Sequence, residues 1–221
     1  IPTLDTVGDF LTAVGAISSP DDLPYNALMA QATITLPTFY PGDSSGPAGW
    51  TEAVTGYWKN GGVVYQSSSP PAANAAHTTR YNPVPLVQGS HEVPVLIATP
   101  DPSQPASAEP PWPVVIFQHG ITRSRFDSAA FTSLLCGLGY AVVAMDAPLH
   151  GTTPVNPLFA GVGGAFTLPG EERTLGIDLV NNATGEPEGV DEGGFAIGDG
   201  IPEESGEYFL NFPSLISSRS V

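Results

Sequence analysis

The residues best placed to do chemistry are His119, Gly120 and Ile121, which follow directly on the apolar run Pro113–Gln118 (PVVIFQ). A glycine at a strand end lets the chain turn sharply and present the next amide. Here that amide is the N–H of Ile121. Preorganised backbone N–H groups at such a turn stabilise the oxyanion of acyl transfer, and losing one donor costs about 10²–10³ in rate. The role needs nothing of the Ile121 side chain. The plain alternative is an ordinary strand–glycine turn with a core histidine.

Other residues offer weaker constellations. Gly42-Asp43-Ser44-Ser45-Gly46 matches the letters of a nucleophile elbow. An elbow needs a strand before it and a helix after it. Pro41 and Pro47-Ala48-Gly49 supply neither, so Ser44 reads as a turn residue. Asp146 ends the apolar run Ala141–Met145 and reads as a carboxylate that holds a loop through backbone N–H bonds. His119, Asp146 and His150 could be imagined around zinc, but their spacing fits no zinc-ligand pattern. Asp191, Glu192 and Asp199 are hard oxygen donors that leave structural calcium as a minor option, without the spacing of an EF-hand loop. Asn182-Ala183-Thr184 is a glycosylation sequon only in a eukaryotic secreted chain. Cys136, the single cysteine, lies in an apolar helical pattern and reads as a core thiol.

The elements that must position the 119–121 turn are legible around it. Pro113–Gln118 is a continuous apolar run, expected to be a strand buried on both faces of a parallel sheet. Asp127–Leu138 has helical amphipathicity, Gly139-Tyr140 ends it, and Ala141–Met145 is a second buried strand. Together they make a βαβ unit. Upstream, Val7, Phe10, Leu11 and Val14 have helical spacing, while Gln31–Pro37 and Glu92–Thr99 read as strands. Residues 67–85 and 151–207 are rich in loop-forming residues, and Tyr208–Ile216 returns to an apolar helical pattern.

Composition narrows the function classes. Hydrophobic content of 41% supports a packed core, and 25 glycines with 24 prolines imply long loops. The formal charge is −16, from 22 acidic and 6 basic residues. The cations, Lys59, Arg80, Arg123, Arg125, Arg173 and Arg219, are scattered, which argues against a nucleic-acid partner. Such a surface suits a soluble exported protein. No apolar run reaches the length of a membrane span. No basic region followed by an apolar run opens the chain, and Ile1 is not an initiator methionine, so the start of the gene product is expected to have been processed or trimmed, with room upstream for a signal peptide or lipid anchor.

The tracts VVIFQHGITRSR, GYAVVAMDAPLHG, ERTLGIDL and YFLNFPSLISSR, with softer matches at 22–25 and 35–40, resemble the α/β-hydrolase superfamily. More narrowly, they look like bacterial extracellular and cell-surface lipases, including lysophospholipase-type lipoproteins. The resemblance implies an α/β fold, the N-terminal half of an α/β-hydrolase sheet with long Pro/Gly-rich loops. It divides the chain into an N-terminal extension, 1–30, and the N-terminal part of the hydrolase domain, 31–221, with 151–207 as a lid-like insertion. It implies a carboxylic-ester hydrolase, an esterase or lipase, located outside the cell or on its surface. The Ile121 N–H would donate to the oxyanion, and His119 and Gly120 would shape its loop. The order Ser, acid, His in such enzymes places the base last, so His119 is not the base. On this reading the triad is not in this chain, the chain alone is inactive, and the missing C-terminal part is its first partner, alongside an ester or lipid substrate. No cofactor is required. A non-catalytic secreted binding or surface module, and a hydrolase of amides, stay open as alternatives.

Overall fold

The computed structural model describes residues 6–39, 56–61, 78, 83–104, 107–121, 123–152, 173–174, 178, 181 and 184. The chain divides into two compact units, one of Ile1–Ile34 with Glu92–Thr174, the other of Thr35–His91 with Leu175–Val221.

The first unit opens with α1 (Val7–Ala13). Thr6 caps it, its side chain accepting the Asp9 N–H at 3.1 Å and satisfying one of the donors that a helix start leaves unpaired. At the other end Gly15 takes φ +73°. The Gly15 and Ala16 amides then reach back to the carbonyls of Thr12 and Leu11, at 3.0 and 2.8 Å. This pair of bonds is the Schellman motif, and the left-handed residue it needs favours glycine. The helix α2 (Ala129–Gly137) ends the same way. Gly139 sits at φ +88°, with Gly139 N–H on Cys136 and Tyr140 N–H on Leu135. That stop returns the chain directly into a strand.

Among the described residues four strands form one mixed sheet, in the order β1-β2-β4-β3: β1 (Leu28–Thr38), β2 (Gly89–Thr99), β3 (Val114–Gln118) and β4 (Ala141–Met145). β3 and β4 run parallel, Val114 opposite Ala141 and Gln118 opposite Met145. β2 lies antiparallel to β4, Val95 opposite Met145. Strand–helix–strand from β3 through α2 to β4 realises the expected βαβ unit, and the architecture is α/β.

The core joins α1, α2 and the sheet. Val7 and Phe10, from the segment set apart as an N-terminal extension, are buried with Leu96, Phe126, Cys136 and Val142. Phe10 stacks on Phe126 at 5.3 Å between ring centroids, and Phe117 meets Phe131 edge-on at 5.0 Å. Such pairs contribute about 0.5–1.5 kcal/mol beyond the area they bury. Ser133 ties α2 to the segment before β1, donating to the Tyr25 carbonyl at 2.6 Å.

Two expectations change. β3 is not buried on both faces: Val114 is 59% and Ile116 72% exposed. Among the described residues β3 is the edge strand, paired only with β4, and the Val114 and Ile116 side chains on one of its faces stand exposed. The helix expected from Asp127 begins instead as a 3-10 turn, Arg125–Ser128, before α2. Its i→i+3 bonding is seen where the Asp127 N–H meets the Ser124 carbonyl at 3.2 Å.

In the second unit, Gly61 and Leu86 donate backbone N–H groups to Val84 and Lys59, at 2.9 and 2.7 Å. Phe39 and Trp58 pack at 5.3 Å. Ser44 and its motif, residues 153–172, the acidic residues 191, 192 and 199, Asn182, and 208–221 lie outside the described residues.

Candidate active-site loop

The loop between β3 and the 3-10 turn leaves from the carboxyl end of a parallel strand. Ligands of open α/β sheets gather at such ends. The loop is fastened at both ends to two consecutive residues that follow β4.

The first fastening is His119, which is buried. Its Nε2 accepts the Ala147 N–H at 3.0 Å. A nitrogen that accepts a backbone N–H carries a lone pair, so the ring proton resides on Nδ1. That Nδ1–H donates to the Gly120 carbonyl at 2.6 Å. Asp146 Oδ1 lies 3.8 Å from Nε2, beyond hydrogen-bond distance. Both ring nitrogens are thereby committed, one to the loop and one to the segment after β4, an arrangement unlike that of a general base with an acid behind it.

The second fastening is Arg125 on Asp146, both about 1% exposed. Asp146 Oδ1 accepts the Arg125 backbone N–H at 2.6 Å, and Oδ2 accepts Nη1 of the same residue. The Arg125 guanidinium also lies over the Phe126 ring, 4.4 Å from its centroid. Arg173 donates through Nη1 to the Asp146 carbonyl. Asp146 thus holds the loop through a backbone N–H and an ion pair together. Nothing in the sequence marked Arg125 and Arg173 as interior groups. The available signal was their position, one shortly after the HG pair and one in the ERTLGIDL tract.

Between the fastenings lie Gly120 and Ile121. No hydrogen bond engages the Ile121 N–H among the described residues. Gly120 differs from expectation. Its φ lies outside the left-handed region and a Cβ there would meet nothing within 4 Å, so the turn itself does not demand glycine.

After Asp146 the chain passes through Leu149 at φ +60°. The left-handed conformation costs a side chain of this kind about 1–2 kcal/mol. It brings buried His150 back toward the loop, its ring centroid 4.9 Å from that of His119. The His150 Nδ1 lies 3.0 Å from the Pro148 carbonyl. The imagined zinc trio is not assembled. His119 has no nitrogen to spare, and among the described residues no group of three His, Cys, Asp or Glu side chains could hold a metal.

Arg123 faces outward and pairs with Asp127 through two bonds, at 2.6 and 2.8 Å. The hydrogen bond and charge of Asp127 raise the Arg123 pKa. Beside this pair runs an open apolar groove of about 940 Å³, lined by Phe10, Leu23, Phe117, Phe126 and Phe131 among others. No helix among the described residues is long and apolar enough to cross a membrane. Comparison with protein-family models, curated proteins and solved structures gives no match.

Proposed function

We propose that this chain is the N-terminal part of a serine-dependent carboxylic-ester hydrolase of the α/β-hydrolase type, with the Ile121 N–H as one of its oxyanion donors. The observation that carries the reading is that amide. It stands at the carboxyl end of β3 without a partner among the described residues, in a loop fastened on both sides. Gly120 is exposed and Ile121 half-buried, so this held N–H is open to an incoming ligand atom. A donor already in place stabilises developing charge without reorganisation during the reaction.

In the intact enzyme a serine Oγ attacks the ester carbonyl while a histidine takes its proton. The carbonyl oxygen becomes an oxyanion between the Ile121 N–H and the amide after the nucleophile. Collapse expels the alcohol, which receives the proton, and water then releases the acid from the acyl-enzyme. Serine, acid and histidine base come from outside this chain. The chemistry requires no metal or organic cofactor. The apolar groove beside the loop favours esters with an apolar acyl part, among them lipids, small esters and polyesters. The acidic charge of −16 and the family likeness favour work outside the cell or at its surface.

The test uses the full gene product that contains this chain. A fluorophosphonate probe should label one serine, and p-nitrophenyl esters should be hydrolysed. Ile121→Pro, which removes the N–H, should lower turnover by about 10²–10³ with the fold retained. A folded proline variant with undiminished turnover sinks the oxyanion assignment. Absence of both labelling and hydrolysis in the unaltered protein favours a non-catalytic module.

A further inference from the structure

We infer that His119 is a positioning residue that locks the peptide group carrying the Ile121 N–H, an inference that rests on the oxyanion reading above. The Gly120 carbonyl and the Ile121 N–H belong to one planar trans peptide, so they point in opposite directions. Whatever fixes the carbonyl therefore fixes the donor. The His119 Nδ1–H holds that carbonyl at 2.6 Å, and the Arg123 N–H approaches it at 3.3 Å. The ring is itself held from behind, since Nε2 takes the Ala147 N–H at 3.0 Å. One line of hydrogen bonds thus runs from the end of β4, through the imidazole, to the donor peptide.

The lock has something to prevent. With no Cβ of its own and no atom within 4 Å of where one would stand, Gly120 sets little steric resistance against a flip of this peptide. Rotation by half a turn would present the Gly120 carbonyl, an acceptor, where the oxyanion forms. The hydrogen bond on the carbonyl also polarises the peptide and strengthens its N–H as a donor. His119 accordingly acts on the transition state through another group and touches no reacting atom.

Three substitutions separate the two nitrogens. In His119→Asn the amide nitrogen takes the place of Nδ1 and keeps the bond to the Gly120 carbonyl. In His119→Gln the side-chain oxygen takes the place of Nε2 and keeps only the Ala147 bond. His119→Phe keeps neither. On an ester substrate of the full gene product, Asn should stay within about threefold of the parent kcat, while Gln and Phe fall by about 10–100-fold with KM little changed, because an interaction made only in the transition state appears in kcat. The acid limb of the pH profile should survive in the Asn variant, as it would not if His119 were the base. A Gln variant as active as Asn, or loss of that limb, overturns the inference. Ring ¹⁵N shifts of His119 decide it without any substrate. Protonated Nδ1 with bare Nε2 supports the lock, and the opposite tautomer or a doubly protonated ring near neutral pH overturns it. If the parent protein hydrolyses no ester, the hydrolase reading fails while the ring shifts still judge the lock.

Discussion

Replacing Asp146 by alanine should be among the most destabilising single changes in the first unit. The carboxylate serves the Arg125 backbone N–H at 2.6 Å and its Nη1, and both residues are about 1% exposed. Two further guanidinium nitrogens of Arg125, Nε and Nη2, already lack hydrogen-bond partners among the described residues. Without Asp146 the guanidinium keeps, among the described residues, only its contact with the Phe126 ring, 4.4 Å away, which falls short of a counter-charge. Removing one partner of a buried pair costs about 3–5 kcal/mol, because the other charge is stranded. For a chain of this size that is a fall in Tm of about 6–20 °C. Arg125→Met in the same background should recover much of the loss, since the stranded charge is then gone. It cannot recover all, because the residue-125 N–H still lacks its acceptor, at about 1–3 kcal/mol. Thermal and urea melts of the parent, both singles and the double complete the cycle. A fall of less than about 2 °C in Asp146→Ala, or strictly additive losses, refutes a desolvated ion pair here.

Two glycines make an opposed pair. Gly120→Ala should leave Tm nearly unchanged, since the added Cβ meets nothing within 4 Å, whereas Gly139→Ala, at φ +88° with Ala108 Cβ 3.0 Å away, should cost about 1–3 kcal/mol. Differential scanning fluorimetry of the two variants checks the contrast. Cys136 is buried, and burial pushes its thiol pKa up from 9.0 to about 11. Native protein at pH 8 should resist a thiol reagent that unfolded protein consumes at once. Because the folded pKa is raised, the associated stability is complete below about pH 9 and is lost as pH climbs toward about 11, which urea melts at pH 8 and pH 11, compared with those of Cys136→Ala, would show.

Local structure around the candidate site was largely legible. Spacing of Val7, Phe10 and Leu11 placed α1, and the runs on either side of α2 placed β3 and β4, because these signals act over a few residues. Sheet order was not legible. β2 packs antiparallel on β4 across some forty residues of chain, a non-local choice that no window of sequence records. Exposure of β3 is illegible for a related reason. An apolar run reveals an affinity for burial, while the cover itself is supplied by other segments. The fastening of Asp146 was half visible, as a carboxylate at a strand end. Its cation was not, since an arginine in a loop ordinarily points to water and only three-dimensional closure turns Arg125 inward. The ring bonds of His119 likewise follow from where the Ala147 N–H arrives.

The open side of β3 has a consequence for handling and expression. The strand reads VVIFQ, without charge or proline, and Ile116 is its most exposed position at 72%. Among the described residues nothing pairs with the outer edge of this β-branched ribbon, and such an edge is a template for pairing with another chain. Natural sequences guard such segments with flanking charges, and the nearest ones here, Glu109 and Arg123, stand five residues away on either side. Any form of the protein that leaves this ribbon bare will therefore be prone to sticking strand to strand. The strand that delivers the candidate catalytic loop would also seed its misassembly.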